Sequence, residues 1–154
     1  MAPQRYVRPN WLTRKVFNKI VVGLTRIGIS LWGSRILEVR GRKSAEPRRV
    51  PLNMLSVDGS RYLVAPRGQT QWVRNLRVAG EGQLLVGRQR ERFLASEIAD
   101  ADKEPILRAY LKRWKWEVGV FFGGVEASSP SDDFQRIAPD HPVFRIETPT
   151  RQAP

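Results

Sequence analysis

Four cations fall within eight residues in the stretch Gly41-Arg42-Lys43-Ser44-Ala45-Glu46-Pro47-Arg48-Arg49-Val50-Pro51. Apolar segments flank it, Ile36-Leu37-Glu38-Val39 before and Val50-Pro51-Leu52-Asn53-Met54-Leu55 after. Glycine and proline at its edges read as a tight turn between two strands. Such a turn gathers Arg and Lys side chains and unpaired backbone N–H groups at one place, and phosphate suits that donor set best. The competing reading is a solvated hairpin tip. A second constellation follows in Val64-Ala65-Pro66-Arg67-Gly68-Gln69-Thr70-Gln71-Trp72-Val73-Arg74-Asn75-Leu76. Here a strand runs through a Pro-Arg-Gly loop into a helix start. A helix N-terminus offers free N–H groups to an anion. Gly68 lets backbone approach a ligand and Arg67 adds a planar fork of donors. Trp72 offers a flat face to an aromatic ring, or else packs in the core.

Other chemistries are excluded or disfavoured by composition. The chain has no cysteine, so disulfides, thiolate catalysis and Cys-based metal sites are out. The single histidine, His141, disfavours a His-based metal site or triad, and its setting in Pro139-Asp140-His141-Pro142 reads as a loop before the last strand. No metal is expected. The net charge of +12 is concentrated at the front: residues 1–50 carry +10, residues 51–100 carry +2, and the remainder is neutral. The N-terminal third therefore faces an anionic partner: a phosphorylated cofactor, a membrane surface or nucleic acid. No Lys/Arg-rich aromatic ladder or base-reading motif accompanies the charge, so nucleic acid is not the expected partner.

These sites need elements to hold them. With 154 residues the chain reads as one domain with a real core. Leu12, Val16, Ile20, Leu24 and Ile27 recur at helical spacing with Arg14, Lys15, Lys19 and Arg26 opposite, a basic amphipathic helix. It either packs on the domain or lies on an anionic membrane through residues 10–30. Short extended segments then follow at 35–40, 48–57, 61–66, 83–88, 90–98 and 143–147. Asp58-Gly59 signals a hairpin and Gly87-Arg88-Gln89 a further turn. Gln69–Ala79 reads as a short helix with Trp72, Val73 and Leu76 inward. A longer helix starts near Pro105 with Ile106, Tyr110, Trp114 and Val118 at four-residue steps. Residues 126–142, rich in Ser, Asp and Pro, read as loop. This pattern predicts an α+β chain, mainly β, with about six antiparallel strands closed into a small barrel. The divisions are a basic arm and helix at 1–34, a barrel at 35–148 and a tail at 149–154. No apolar run reaches the roughly 18 residues of a membrane span, and no signal-peptide pattern is present. A cytoplasmic location is expected, peripheral on the inner face of the plasma membrane if the helix binds it.

The order Gly-Arg-Lys-Ser-x-x-Pro-Arg-x-x-Pro-Leu, Asp-Gly, Tyr-Leu-Val-Ala-x-x-Gly, Trp-x-x-Asn-Leu-Arg resembles the deazaflavin-dependent nitroreductase family of split β-barrel oxidoreductases. The resemblance covers residues 35–98 well and 99–147 in outline. It implies a split barrel and a reduced 8-hydroxy-5-deazaflavin, coenzyme F-420, as hydride donor. Flavin mononucleotide is the alternative cofactor, disfavoured by the Gly-Arg-Lys-Ser turn. By resemblance, Arg42, Lys43, Ser44 and Arg48 hold the anionic tail, and Pro51 lies near the ring with Asn53 just beyond. Ala65, Pro66, Arg67 and Gly68 wrap the ring's polar edge. Gln71, Trp72 and Asn75 lie in the segment beside the cofactor. Three departures stand out. Ala45 replaces the family's usual glycine, a modest change if φ stays negative. The loop between Gly68 and Trp72 is shortened. The late helix carries Tyr110, Trp114 and Trp116 as substrate wall or proton donor in place of the family's tyrosines. The expected activity is hydride transfer to a hydrophobic, electron-poor acceptor such as a quinone, enone or nitro compound. The alternative is a non-catalytic barrel holding lipid, fatty acid or cofactor at the membrane surface.

Overall fold

The structure, a computed structural model, describes residues 34–149, with Trp116 and Glu117 described by their backbone alone. The amphipathic helix expected over Leu12–Ile27 and the last five residues lie outside the described residues. Strands β1 (Ser34–Arg40) and β2 (Pro47–Val57) pair antiparallel across the basic turn, Arg40 opposite Pro47. Beyond Asn53, β2 leaves β1 and pairs with β3 (Ser60–Val64), Met54 opposite Leu63. The Asp58-Gly59 connection has φ of 50° and 78°. Both central residues are thus left-handed, as a two-residue hairpin of right-twisted strands requires. Helix α1 (Gln71–Ala79) leads to the β4 (Glu81–Val86) and β5 (Gln89–Glu97) hairpin. Helix α2 (Glu104–Val118), helix α3 (Ser131–Ile137) and strand β6 (Val143–Glu147) complete the order.

The six strands close in the order β1-β2-β3-β6-β5-β4, every pair antiparallel. The last strand slots between β3 and β5, and β1 closes on β4. Pleat alternation then sorts side chains into two cores. Leu37, Val39, Leu63, Leu84, Phe93, Phe144 and Ile146 fill one, into which α1 sets Val73 and Leu76. Leu55, Val64 and Val143 join the other, beneath α2 and α3. Each fully buried Leu or Phe contributes about 1.5–3 kcal/mol relative to exposure. The expected four-residue ladder of α2 is present, since Ile106, Tyr110, Trp114 and Val118 are all buried.

Two expectations are corrected. Residues 126–142 are not all loop: Pro130 caps α3, Asp132 and Asp133 occupy its first turn, and Phe134 and Ile137 are buried. Carboxylates in a first turn stabilise a helix N-terminus. Two apolar positions are too few to show a period in the sequence. The fourth strand also begins earlier than expected, at Glu81, because Gly80 ends α1 in a left-handed conformation with its N–H bonded to the Leu76 carbonyl.

Candidate functional site

The basic turn is closed by its own backbone. Gly41 N–H donates to the Glu46 carbonyl at 2.8 Å and Ala45 N–H to the Gly41 carbonyl at 2.9 Å. A Cβ at Gly41 would lie 2.9 Å from Ser44 Oγ and 3.2 Å from the Glu46 carbonyl, so the turn can only tighten this far around glycine. Ala45 takes φ of 61°, so the condition of a negative φ, under which the change from glycine would be modest, is not met. The residue carries left-handed strain because the turn geometry that glycine satisfies freely is kept with alanine. Ser44 Oγ accepts from Glu46 N–H at 3.3 Å and from Arg48 Nη2 at 3.5 Å.

The turn is fastened to α1 by one residue. Asn75, only 5% exposed, accepts through Oδ1 from the Arg42 backbone N–H at 3.1 Å and from Arg42 Nη1 at 2.8 Å. Arg42 Nη1 also donates to Gln71 Oε1 at 2.9 Å. Arg42 therefore braces the turn against the helix. Lys43 and Arg48 are exposed and remain for a ligand. The structure thus links Arg42 with Gln71 and Asn75, and Ser44 with Arg48 across the same turn. Pro51 and Asn53 are half-buried farther along β2, opposite Ile36 and Ser34 of β1.

The Pro-Arg-Gly loop is held at its base. Ala65, fully buried, donates its N–H to the Pro142 carbonyl at 2.9 Å. Gly68 N–H donates to the Ala65 carbonyl at 3.3 Å and Thr70 N–H to the Gly68 carbonyl at 2.8 Å. Gly68 is buried at φ of 92°, which suits glycine alone. Pro66 and Arg67 are half-buried, and the Arg67 guanidinium lies 6.0 Å from the centre of the Phe121 ring. Gln69 Oε1 accepts from Arg77 Nη1 at 3.1 Å, while Arg77 also grips Glu97 at 2.8 and 2.6 Å. That hydrogen bond to Glu97 raises the Arg77 pKa further. Trp72 is half-buried against the barrel core, its ring 6.1 Å from that of Phe144.

Some site residues were not anticipated. Thr70 caps α1 in an extended conformation, yet its side chain makes no capping bond, and Oγ1 is buried with no partner among the described residues. The first turn of α1 holds no acidic residue, so the positive end of its dipole is uncompensated by the helix itself. Gln69 braces the same loop. Neither position has a signal beyond its place in the loop. Tyr110 and Trp114 are corrected in the opposite sense: at 2% and 1% exposure they belong to the core under α2, where their rings lie 5.1 Å apart. The inward helix stripe that buries them is the same four-residue ladder that made them visible. The Trp116 side chain lies outside the described residues.

The donor set fits an anionic, ring-bearing cofactor. Exposed Lys43 and Arg48 provide charge. The open end of α1 and the orphaned Thr70 hydroxyl provide hydrogen bonds. Trp72 and the Pro66–Gly68 loop provide an adjacent wall.

Comparison with known proteins bears on the same residues. No curated protein matches the chain. Among solved structures, the F420-H2 dependent reductase FDR-A is similar, at 17% identity and a TM-score of 0.51, covering 75% of this chain and 94% of that one. The conserved hypothetical protein Rv2991 from Mycobacterium tuberculosis is similar at 15% identity and a TM-score of 0.51, covering 98% and 87%. A domain-swapped dimer matches at 18% identity and a TM-score of 0.53, covering 89% and 97%. At these identities the likenesses establish the split-barrel fold. The family model matches residues 13–118, more than half of the chain and including both the basic turn and the Pro-Arg-Gly loop, so the chain belongs to the F420H(2)-dependent quinone reductase family and is a deazaflavin-dependent oxidoreductase.

Proposed function

We propose that this reductase delivers a hydride to a hydrophobic, electron-poor acceptor, with quinones first and enones and nitro compounds as related candidates. The family description supports a quinone. The observation that carries the reading is the Arg42–Asn75 clamp, which sets the basic turn beside the helix end that continues from the Pro66–Gly68 loop. When bound, the reduced deazaflavin supplies the hydride. The protein's part is placement and electrostatics. Lys43 and Arg48 hold the anionic tail by charge-assisted bonds. Thr70 Oγ1 and the α1 N-terminus would hold polar oxygen atoms of the bound coenzyme. Trp72, at the edge of the barrel core, would offer the ring an apolar wall that excludes water. With Tyr110 in the core, half-buried Tyr62 or solvent provides the proton that accompanies the hydride to the acceptor.

The test is titration of the purified full chain with the reduced coenzyme, followed by addition of a quinone series and readout of coenzyme oxidation. Saturable binding with quinone-dependent oxidation supports the reading. Binding without oxidation by any quinone, enone or nitro compound overturns the acceptor assignment. Absence of binding overturns the reading and returns the barrel to a lipid-holding role. Attachment to anionic lipid through residues 10–30 is proposed alongside, on the +10 charge of residues 1–50. It places the enzyme at the inner membrane surface, where lipid-soluble quinones reside.

A further inference from the structure

We propose that Arg77, the last residue of the Trp-x-x-Asn-Leu-Arg motif, is a positioning residue for the loop at the head of α1, anchored on Glu97 and holding residues 66–70 through Gln69. The proposal rests on the reading of that loop as part of the cofactor site. The guanidinium divides its donors between two partners. Nε and Nη2 meet the two Glu97 carboxylate oxygens at 2.8 and 2.6 Å, a bidentate grip. Nη1 is left pointing at Gln69 Oε1, 3.1 Å away. Glu97 closes β5, so the guanidinium is aimed by the barrel and not by α1 alone.

The helix geometry explains the reach. Arg77 lies in the last turn of α1, whereas Gln69 precedes the Thr70 cap. Helical side chains lean toward the N-terminus, so a long one in the last turn runs back along the helix toward the loop. Residues two apart on a helix lie about 200° apart around its axis. Asn75 therefore takes the basic turn on one side of α1 while Arg77 takes the loop on the other. The loop has use for such a hold. Pro66 has no N–H to give, and the Gly68 N–H bond to the Ala65 carbonyl is long at 3.3 Å. Gln69 is a polar side chain at only 8% exposure, so its amide needs a partner, and it sits between Gly68 and the Thr70 whose hydroxyl faces the site. The Arg77 and Glu97 side chains are 42% and 35% exposed. An ion pair that open adds little to stability, whereas its fork geometry fixes a direction. Lysine would keep the charge and lose the fork.

The experiment is amide hydrogen exchange in the full chain without coenzyme, corrected for intrinsic rates, comparing wild type, Arg77→Lys and Gln69→Leu. Four amides are read. Gly68 and Thr70 report the loop, Ala95, bonded to the Gly80 carbonyl, reports the seating of α1 on β5, and Leu107 reports the distant α2. The expected result is about tenfold faster exchange at Gly68 and Thr70 in both variants, with Ala95 and Leu107 unchanged, since local opening is read separately from global unfolding. Unchanged exchange at Gly68 and Thr70 overturns the proposal. So does equal acceleration at Ala95, which marks Arg77 as a strut between α1 and β5. If Arg77→Lys does not fold, Gln69→Leu, which leaves the Glu97 pair intact, decides on the same amides. Coenzyme titration follows: each variant is expected to bind several-fold more weakly, and Arg77→Lys/Gln69→Leu no more weakly than either alone. Additive losses overturn the proposal. Wild-type failure to bind would defeat the cofactor reading, while the exchange data would still decide the role of Arg77.

Discussion

Asn75 is the residue on which the site's geometry turns. One amide oxygen receives two donors from Arg42, and it does so in a buried setting. Asn75→Ala leaves both donors without that acceptor, and a loss of about 1–3 kcal/mol is expected. Chemical denaturation measures it, and coenzyme titration of the same variant shows weaker binding because the turn is released from α1. The exposed cations behave differently. Lys43→Ala/Arg48→Ala leaves stability within about 0.5 kcal/mol, as surface changes do. It weakens coenzyme binding about tenfold, or about 1.4 kcal/mol, and makes the remaining affinity less salt-sensitive in titrations at two ionic strengths. His141 makes stability depend on pH. Burial depresses its pKa to about 4 from 6.5, against the opposing pull of Asp140 and the Pro66 and Ala65 backbone. Between those values the unfolded chain binds the extra proton. Its contribution to stability is therefore complete above pH 6.5 and falls as pH drops toward 4, by roughly 3 kcal/mol at about 1.36 kcal/mol per pH unit. Urea midpoints between pH 7 and 4 should show a shallower acid loss in His141→Phe than in wild type. Glu91, whose pKa is lowered by its hydrogen bond from Arg61, adds an acid loss common to both. The cationic and Trp-bearing segments were legible in the sequence because charge and motif spacing are local. The role of Asn75 as clamp was not, because it depends on a partner from another element.

Among the elements, the basic turn combines a constraint with an unmet one. Gly41 is required by the close approach of Ser44 and Glu46, whereas Ala45 occupies a left-handed φ that glycine would adopt freely. Ala45→Gly is expected to stabilise the protein by about 1 kcal/mol through relief of that strain. Differential scanning calorimetry should show a melting point higher by a few degrees. The sequence located this turn and its flanking strands but not the sign of φ at position 45, which is set by closure onto Glu46. Strong local signals also located the Asp58-Gly59 hairpin, the α2 ladder and the Pro105 start. Helix α3 escaped because it is about two turns held by two buried side chains, and its helicity comes from packing against α2. Tyr110 and Trp114 illustrate the converse limit: a helical period tells which residues share a face, not whether that face meets a substrate or a core.

For the whole molecule, charge is arranged by position along the chain rather than spread over the surface. The described barrel pairs many of its cations, as in Arg49–Glu38, Arg61–Glu91 and Arg77–Glu97, while residues 1–50 hold the excess of +10. Full chain should therefore pellet with vesicles containing anionic lipid at low salt and not with neutral vesicles, and the attachment should weaken sharply as salt is raised. Equal pelleting in both would remove the membrane proposal and leave the reductase reading untouched. The six-strand barrel class was legible from strand count and turn spacing, but the strand order was not, since the sequence carries no mark that β6 belongs between β3 and β5. That order has a consequence for biosynthesis. During translation β3 and β5 each wait with an unpaired edge until the final strand leaves the ribosome, and β1–β4 closure alone cannot cover them. From the completion of β5 until β6 emerges, the nascent chain is therefore an aggregation-prone open sheet. A stop codon just before Val143 would produce not a slightly shortened enzyme but a chain that depends on chaperones and fails to close.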